Sequence, residues 1–447
     1  MVSTNYTTTE EDKETAIKEL ERLFDLNADQ LKKIAQLLQN EMKIGLNKND
    51  EDYTNIPMLP SWITRRPTGQ ELGEYLGLDL SRSHIRVYLV TLHGHGRIST
   101  RQMKYTVKQS LKKGSINKLV DFMAECVDNF LNFINKTRCT LFLGLCISFP
   151  LHQTAINNAY VLRWTKDFEI TGAYNKNIVE LLQTSFRRRE IPVVVKAAVN
   201  GAPGCLLAHG YRSLDALLAC TASDIGKLGK EKEEGEMIIN TEWGSFGDGR
   251  PEIIPHTFYD VRVNRQSVNS GAQMYEKMVA GLYLGEIVRL VIVDFIDRRL
   301  LFDSQYSAEM NKPYNFESSY VSAIDRDETS DLDDTKHLLE QVMNISSTTI
   351  TDRRIVKRIC VLVGKRAARL IAAGMSAIIN KRSVLEVGLS ISVEGTVYEH
   401  YSNFPDHVTN ALRELYGDYV DRINIGITRD CNGVGAALAA MIASTSE

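Results

Sequence analysis

Residues 75–105 read YLGLDLSRSHIRVYLVTLHGHGRISTRQMKY. Ile85, Val87 and Leu89 recur at every second position, the period of a strand that buries one face. His93-Gly94-His95-Gly96 then predicts a turn, because glycine accepts positive φ, and a second alternating run passes through Met103 and Tyr105. Together they predict a β-hairpin. Downstream, Ser115 is placed to cap a helix in which Leu119, Phe122, Met123, Val127, Phe130 and Ile134 recur at three- and four-residue intervals. Apolar runs at 140–148 and 191–199 read as buried strands, separated by a helix around 179–186. Strands alternating with helices predict an α/β protein.

Upstream of this block, residues 1–10 are polar, and a helix-period segment starts near Glu11 with Ile17, Leu20, Leu23 and Phe24 on one face. A second helix is predicted over 28–43, and 47–69, with Pro57, Pro60 and Pro67, reads as an extended connector. Toward the C-terminus, 272–301 and 352–381 predict long helices whose Gly281, Gly285, Gly364 and Gly374 allow close packing. The acidic stretch 325–334 between them reads as a solvated loop, and 227–236, with charges of both signs, as an exposed linker. The segment 384–393, a helix at 405–416, a strand at 423–427 and a last helix from Gly433 complete a second α/β unit.

At 447 residues the chain exceeds what one core usually supports, so at least two lobes are expected. With 53 Lys+Arg against 56 Asp+Glu there is no general electrostatic pull toward nucleic acid or an anionic membrane. Arg187-Arg188-Arg189 and the group Arg353, Arg354, Lys357, Arg358 fall in helical patterns, where a solvated basic face is the ordinary reading. The seven cysteines form no CxxC pair, which fits reduced thiols inside a cell. His93 and His95 have no third ligand nearby, so no metal site is expected. No apolar run approaches 18 residues, and the first 30 residues are polar and acidic, so a soluble, unsecreted protein of the cytoplasm or nucleus is expected.

Leu59-Pro60-Ser61-Trp62, Arg66-Pro67-Thr68-Gly69 and Leu76-Gly77-Leu78-Asp79-Leu80 resemble the entry into the small lobe of eukaryotic hexokinases. Ile147-Ser148-Phe149-Pro150, Arg163-Trp164-Thr165-Lys166, Val199-Asn200, 240–246 (NTEWGSF) and 273–278 (QMYEKM) agree in order and approximate spacing, so the resemblance covers roughly residues 55 to 445. It implies a two-lobed α/β fold of the actin and ribonuclease-H type, with sugar and nucleotide taken up in a cleft. The expected division is an N-terminal helical segment and connector at 1–58, a small lobe at 59–207, a large lobe at 208–430 and a C-terminal helix at 431–447.

A hexose is a ring of hydroxyls and calls for side chains that accept and donate hydrogen bonds, carboxylates most strongly. By resemblance, Ser148, Thr165, Lys166, Asn200, Glu242 and Glu276 map onto the hydroxyl-contacting positions. Taken singly, Ser148 reads equally as a turn residue, Thr165 and Lys166 as a surface pair, and the two glutamates as solvated. Their joint presence points to a hexose pocket.

The phosphate apparatus departs from the family pattern. The family places a catalytic aspartate after its asparagine, whereas Asn200 is followed by Gly201, which has no side chain to take a proton. The first phosphate loop, glycine-rich in the family, is here Asp79-Leu80-Ser81-Arg82-Ser83-His84, where side chains block or reshape the cradle and Arg82 offers an alternative hold on an anion. The second loop should fall between Tyr211 and Asn240, and what stands at 214–225 lacks the glycine pair. On the adenosine side, Gly395 and Thr396 lie in a stretch that resembles the family's Gly-Ser-Val-Tyr element, and Gly433 and Gly435 resemble the start of its closing helix, where close packing is an equal explanation.

These readings lead to a non-catalytic hexokinase-like protein that binds a hexose such as glucose and passes nutrient status to a regulatory protein partner, with no cofactor required, no membrane and no nucleic acid. One alternative is a weakly active hexokinase that uses Mg-ATP, with Glu242 or Glu276 as substitute base. The other is a scaffold that binds neither ligand.

Overall fold

The computed structural model describes residues 9–47, 54–164, 168–213, 221–222, 225–231, 235–382 and 385–445. The chain forms two compact units: Met1–Glu41, Trp243–Ser383 and Gly395–Asp421 make one, and Met42–Glu242, Val384–Glu394 and Arg422–Glu447 the other.

The second unit is built on a sheet of β1 (Leu72–Leu80), β2 (His84–His93), β3 (Ile98–Thr106), β4 (Leu141–Ile147) and β5 (Val193–Asn200), in the order β3-β2-β1-β4-β5. β1, β4 and β5 are parallel, and β2 and β3 run antiparallel, so the predicted hairpin is the β2–β3 edge. Side-chain alternation divides the core into two layers. Leu76, Leu78, Leu80, Ile85, Val87, Leu143 and Leu145 point to one face, where α1 (Ile116–Phe133) and α2 (Ile178–Arg188) pack. Tyr88, Val90, Cys146, Ala197 and Val199 point to the other, against α3 (Gly201–Arg212) and α4 (Cys431–Ser444). Ser115 accepts from the Lys118 N–H and caps α1 as predicted. Two further strands, β6 (Leu389–Val393) and β7 (Ile423–Ile427), pair in parallel.

α4 lies on this sheet backbone to backbone. A Cβ at Gly144 would sit 1.8 Å from the Ala436 carbonyl oxygen, one at Gly77 2.0 Å from Gly433 O, and one at Gly435 2.0 Å from Gly204 O. The segment 227–236, expected as an exposed linker, is partly structural: Lys227 Nζ donates to the carbonyls of Gly45, Pro57 and Met58 at 3.0, 2.5 and 2.6 Å. A lysine bonded to three carbonyls has exchanged water for backbone.

The first unit is helical. Glu10–Phe24 buries Ile17, Leu20 and Phe24, while Leu23, expected on the same face, is 46% exposed because it lies off that stripe. The predicted helix over 272–301 is two helices, Met274–Val279 and Gly281–Asp297, since Ala280 is extended between them. Ile350–Arg382 runs unbroken for 33 residues. The four glycines act as expected: added Cβ atoms would meet Val397 (Gly281), the Phe316 carbonyl (Gly285), the Tyr401 hydroxyl (Gly364) and the Trp243 ring (Gly374) at 2.0–2.7 Å.

The acidic stretch 325–334 is not simply a solvated loop. Asp325, 4% exposed, ends a helix and accepts from Tyr401 Oη at 2.7 Å and Asn403 Nδ2 at 3.0 Å; Asp327, 2% exposed, accepts from Thr329 and Thr335. Burial raises both carboxyls, but these hydrogen bonds, with His407 beside Asp325 the foremost influence there, outweigh it and hold them below the ordinary range. Deeper still, the fully buried Arg366 forks onto Asp260 with two 2.7 Å bonds and lies 4.4 Å over the Phe24 ring.

Two predictions follow from this packing. Gly144→Ala will destabilise the protein by roughly 1–3 kcal/mol or more, as overpacking does, whereas Gly426→Ala, with no atom within 4 Å of the added Cβ, will stay within about 0.5 kcal/mol in denaturant melts. For Asp260, burial raises the carboxyl, and Arg366 together with the hydrogen bonds from Thr257 more than offsets it, leaving it below its ordinary 3.8. A depressed carboxyl contributes stability that is complete above the ordinary value and is lost as pH falls through the native one. Thermal melts will therefore drop on acidification below 3.8, and Asp260→Asn, less stable at neutral pH, will lose part of that slope.

Candidate functional site

The parallel strands bring their C-terminal ends together, which is where open α/β sheets bind ligands. Leu80 pairs with Ile147 and Ile147 with Asn200, so Ser81, Ser148 and Gly201 leave the sheet side by side. The Ser148 N–H donates to Leu80 O at 3.3 Å. Asn200 Nδ2 donates to Ile147 O at 3.2 Å and Phe149 O at 3.0 Å, bracketing Ser148, while its Oδ1 accepts from the Ala202 N–H and caps α3. One amide thus fixes both the Ser148 segment and the entry to α3.

At position 201 an added Cβ would lie 3.1 Å from Asn432 Oδ1, a buried oxygen without a hydrogen-bond partner among the described residues. An aspartate here needs Asn432 to move. Gly433 and Gly435 belong to the close packing of α4: a Cβ at 433 would enter the Tyr88 ring at 2.2 Å.

The turn Ser81–Ser83 is closed on itself. Ser81 N–H and Oγ both donate to His84 O, at 3.0 and 2.9 Å, and Ser83 Oγ lies 2.7 Å from His84 Nδ1. Burial, then the charges of Lys104, Arg86 and Lys112, push His84 below the ordinary imidazole value. Beneath the turn, Tyr88 Oη donates to Asp430 Oδ1 at 3.2 Å. Burial pulls the Arg86 guanidinium down, but its bond to Tyr88 and the carboxylates of Asp79 and Asp430 outweigh it and keep it charged.

Glu242 adopts a left-handed backbone (φ 54°) and accepts from Asn240 Nδ2 at 2.8 Å, which aims its half-buried carboxylate. In the helical unit, Glu276 lies on the short helix Met274–Val279, whose first N–H groups are held by Asp248: Oδ2 accepts from Gln273 at 2.7 Å and Oδ1 from Met274 at 2.8 Å. The Gly244 position faces Glu276 so closely that a Cβ would lie 3.2 Å from that of Glu276. Beside it Lys277 is buried, donating to Asn264 Oδ1 and Asn269 O at 2.8 Å, and burial pushes its ammonium down to about 8.

The same unit holds a cavity of about 580 Å³. Thr396 and Val397 line it opposite Gly281, with the hydroxyls of Ser318, Ser319 and Ser322. Gly395, at φ 152°, precedes Thr396 with open space where a side chain would be. That volume and mixed lining suit a nucleoside-sized ligand.

Thr165 and Lys166 lie outside the described residues, as does most of 214–225, the expected second phosphate segment. Asn240, Asp248, Asn432 and the Ser318–Ser319 pair were not singled out from the sequence. Asn240 stood within the quoted NTEWGSF stretch and was legible as a polar end to an apolar strand, whereas the others gave no local signal.

A family model described as Hexokinase matches residues 16–211, and a second with the same description matches 216–442. The chain is 33% identical to Hexokinase of Schwanniomyces occidentalis over 450 residues, covering 96% of this chain and 92% of that protein. It is 34% identical to Hexokinase-1 of Saccharomyces cerevisiae, covering 95% and 91%. Among solved structures, hexokinase from Schistosoma mansoni complexed with glucose superposes with a TM-score of 0.89 at 30% identity, covering 98% of this chain and all of that one. The expected two-lobed α/β hexokinase fold is therefore present.

These matches correct the expectation that no cofactor is required, since proteins of this family use Mg-ATP. The residues fit it in part. The cavity at Thr396 can take the nucleoside, while the Ser81–Ser83 turn already spends donors on His84 and is a poorer phosphate cradle than a glycine loop.

Asp248→Ala removes both acceptors at the start of Met274–Val279 and leaves two buried N–H groups without them, so it will destabilise the protein by about 1–3 kcal/mol in urea titrations.

Proposed function

The chain belongs to the hexokinase family, and from that premise we propose that it binds a hexose and Mg-ATP and phosphorylates the sugar at its 6-hydroxyl at a low rate. The observation that carries this reading is the retained nucleoside-sized cavity at Thr396, which a protein that only senses sugar does not need. Named hexokinases covering almost the whole chain support it as well.

In this reading Ser148, clamped by Asn200, and Glu242, aimed by Asn240, hydrogen-bond sugar hydroxyls. The cofactor supplies the phosphoryl group and the cation that neutralises it. The chain's own share is to bind and orient the sugar and to take the hydroxyl proton. Gly201 cannot do the last, which leaves Glu242 as the acceptor and lowers the rate by about 10²- to 10⁴-fold relative to a placed base.

A second reading is favoured by one observation, the proximity of Asn432 Oδ1 to the space an aspartate at 201 would need. It is a non-catalytic hexose-binding regulator of the cytoplasm or nucleus that signals through a protein partner.

Calorimetry with glucose and Mg-ATP, beside a coupled assay for glucose 6-phosphate, separates the two. Slow, ATP-dependent product is expected, and Gly201→Asp combined with Asn432→Ala should raise turnover about 10²-fold or more. Glu242→Gln should weaken glucose binding about tenfold, equivalent to roughly 1.4 kcal/mol. Sugar binding with no product from either protein would sink the kinase reading and leave the regulator.

A further inference from the structure

Two features of the sequence that the proposed reaction does not use, the basic group at 353–358 and the acidic stretch at 325–334, meet in the helical unit. Arg354, Lys357, Arg358 and Val361 follow the three- and four-residue spacing of one face of the helix Ile350–Arg382. The turn at 327–332 is clamped to that helix at both ends: Lys357 Nζ donates to the Asp327 carbonyl and Arg353 to the Asp331 carbonyl, and Leu332 is buried. Between the clamps, Thr329 and Ser330 line a surface pocket of about 360 Å³ together with Arg354, Lys357 and Arg358. Among the described residues no acidic side chain lines it.

The two hydroxyls of the turn differ. Thr329 Oγ1 donates to Asp327 Oδ1 at 2.6 Å and accepts from the Asp333 N–H at 2.8 Å, so it is fully engaged. Ser330 is exposed, and its hydroxyl has no hydrogen-bond partner among the described residues. The three cations differ as well. Lys357 bonds Glu328 at 2.8 Å and Arg358 bonds Glu21 at 2.7 Å, whereas the exposed Arg354 has no carboxylate partner among the described residues. An unpaired guanidinium flanked by two further cations suits an anion with several acceptor oxygens.

The chain itself can carry that anion. Ser330 stands in an exposed turn with Asp331, Asp333 and Asp334, all exposed, one, three and four positions beyond it. Protein kinases choose substrates partly by such charge patterns. We propose that Ser330 is a phosphorylation site for a protein kinase that reads acidic residues C-terminal to its target, and that the phosphate seats on Arg354, with Lys357 and Arg358 beside it. In the transfer, Ser330 Oγ attacks the γ-phosphorus of ATP held by that kinase. An O–P bond forms, the bond from the γ-phosphorus to the β–γ bridging oxygen breaks, ADP leaves, and the hydroxyl proton passes to the kinase's base. The product places close to two negative charges and three strong acceptor oxygens over a guanidinium that has none to meet in the unmodified chain.

The test incubates the full-length protein with Mg-ATP and the acid-directed casein kinase 2, beside the same mixture without kinase, and maps phosphopeptides by mass spectrometry. Phosphate on Ser330 is expected only with the kinase, and none in this segment of Ser330→Ala. No phosphate at Ser330, phosphate on Thr329 in its place, or phosphate at Ser330 in the kinase-free mixture overturns the proposal. Seating is read by ³¹P NMR titration of the phosphorylated protein. The second ionisation of the phosphate should fall below its ordinary value of about 6 and return toward it in Arg354→Gln. An ordinary value in the unsubstituted protein, or no change in Arg354→Gln, places the phosphate in solvent and overturns the seating. Neither readout depends on sugar binding or on phosphoryl transfer by the chain itself.

Discussion

No side chain separates the closing helix Cys431–Ser444 from the sheet at Gly77 and Gly144, nor from its neighbouring helix at Gly204 and Gly435. Interiors packed at this density do not yield, because the alternative is a void or a clash. Everything at the C-terminal edge of the sheet inherits its position from that contact. The ends of three parallel strands define the edge, and the helix brings Asp430 and Asn432 to it.

On that edge, the backbone at Ser148 and the turn at Ser81–Ser83 are held by separate sets of hydrogen bonds. The Asn200 amide ties the backbone on both sides of Ser148 and caps the next helix through bonds that use no side chain at position 201. Gly201 opens that helix with Asn432 Oδ1 turned toward the space a side chain there would take. The Ser81–Ser83 turn is likewise satisfied internally.

The helical unit shows how buried charge is kept. Asp260 is satisfied by a forked arginine and a helix cap, Asp325 by a tyrosine and an asparagine, and Asp327 by two threonines. In each case hydrogen bonds that favour the ionised form outweigh desolvation. This network frames the cavity at Thr396, since Tyr401, whose hydroxyl meets Asp325, is also part of its wall.

Much of the fold was legible in the sequence, because strand alternation, the Ser115 cap and the packing glycines are local patterns. The family resemblance located Ser148, Asn200, Gly201 and Glu242 in the same way, as residues at fixed offsets within short motifs. Tertiary structure alone decided that the acidic stretch at 325–334 has a buried, hydrogen-bonded part, that Lys227 holds three carbonyls, and that 272–301 breaks at Ala280. It alone set Asn432 against Gly201. Periodicity reports which face of an element is apolar, whereas a polar group's partner lies far along the chain and is chosen only when the elements pack.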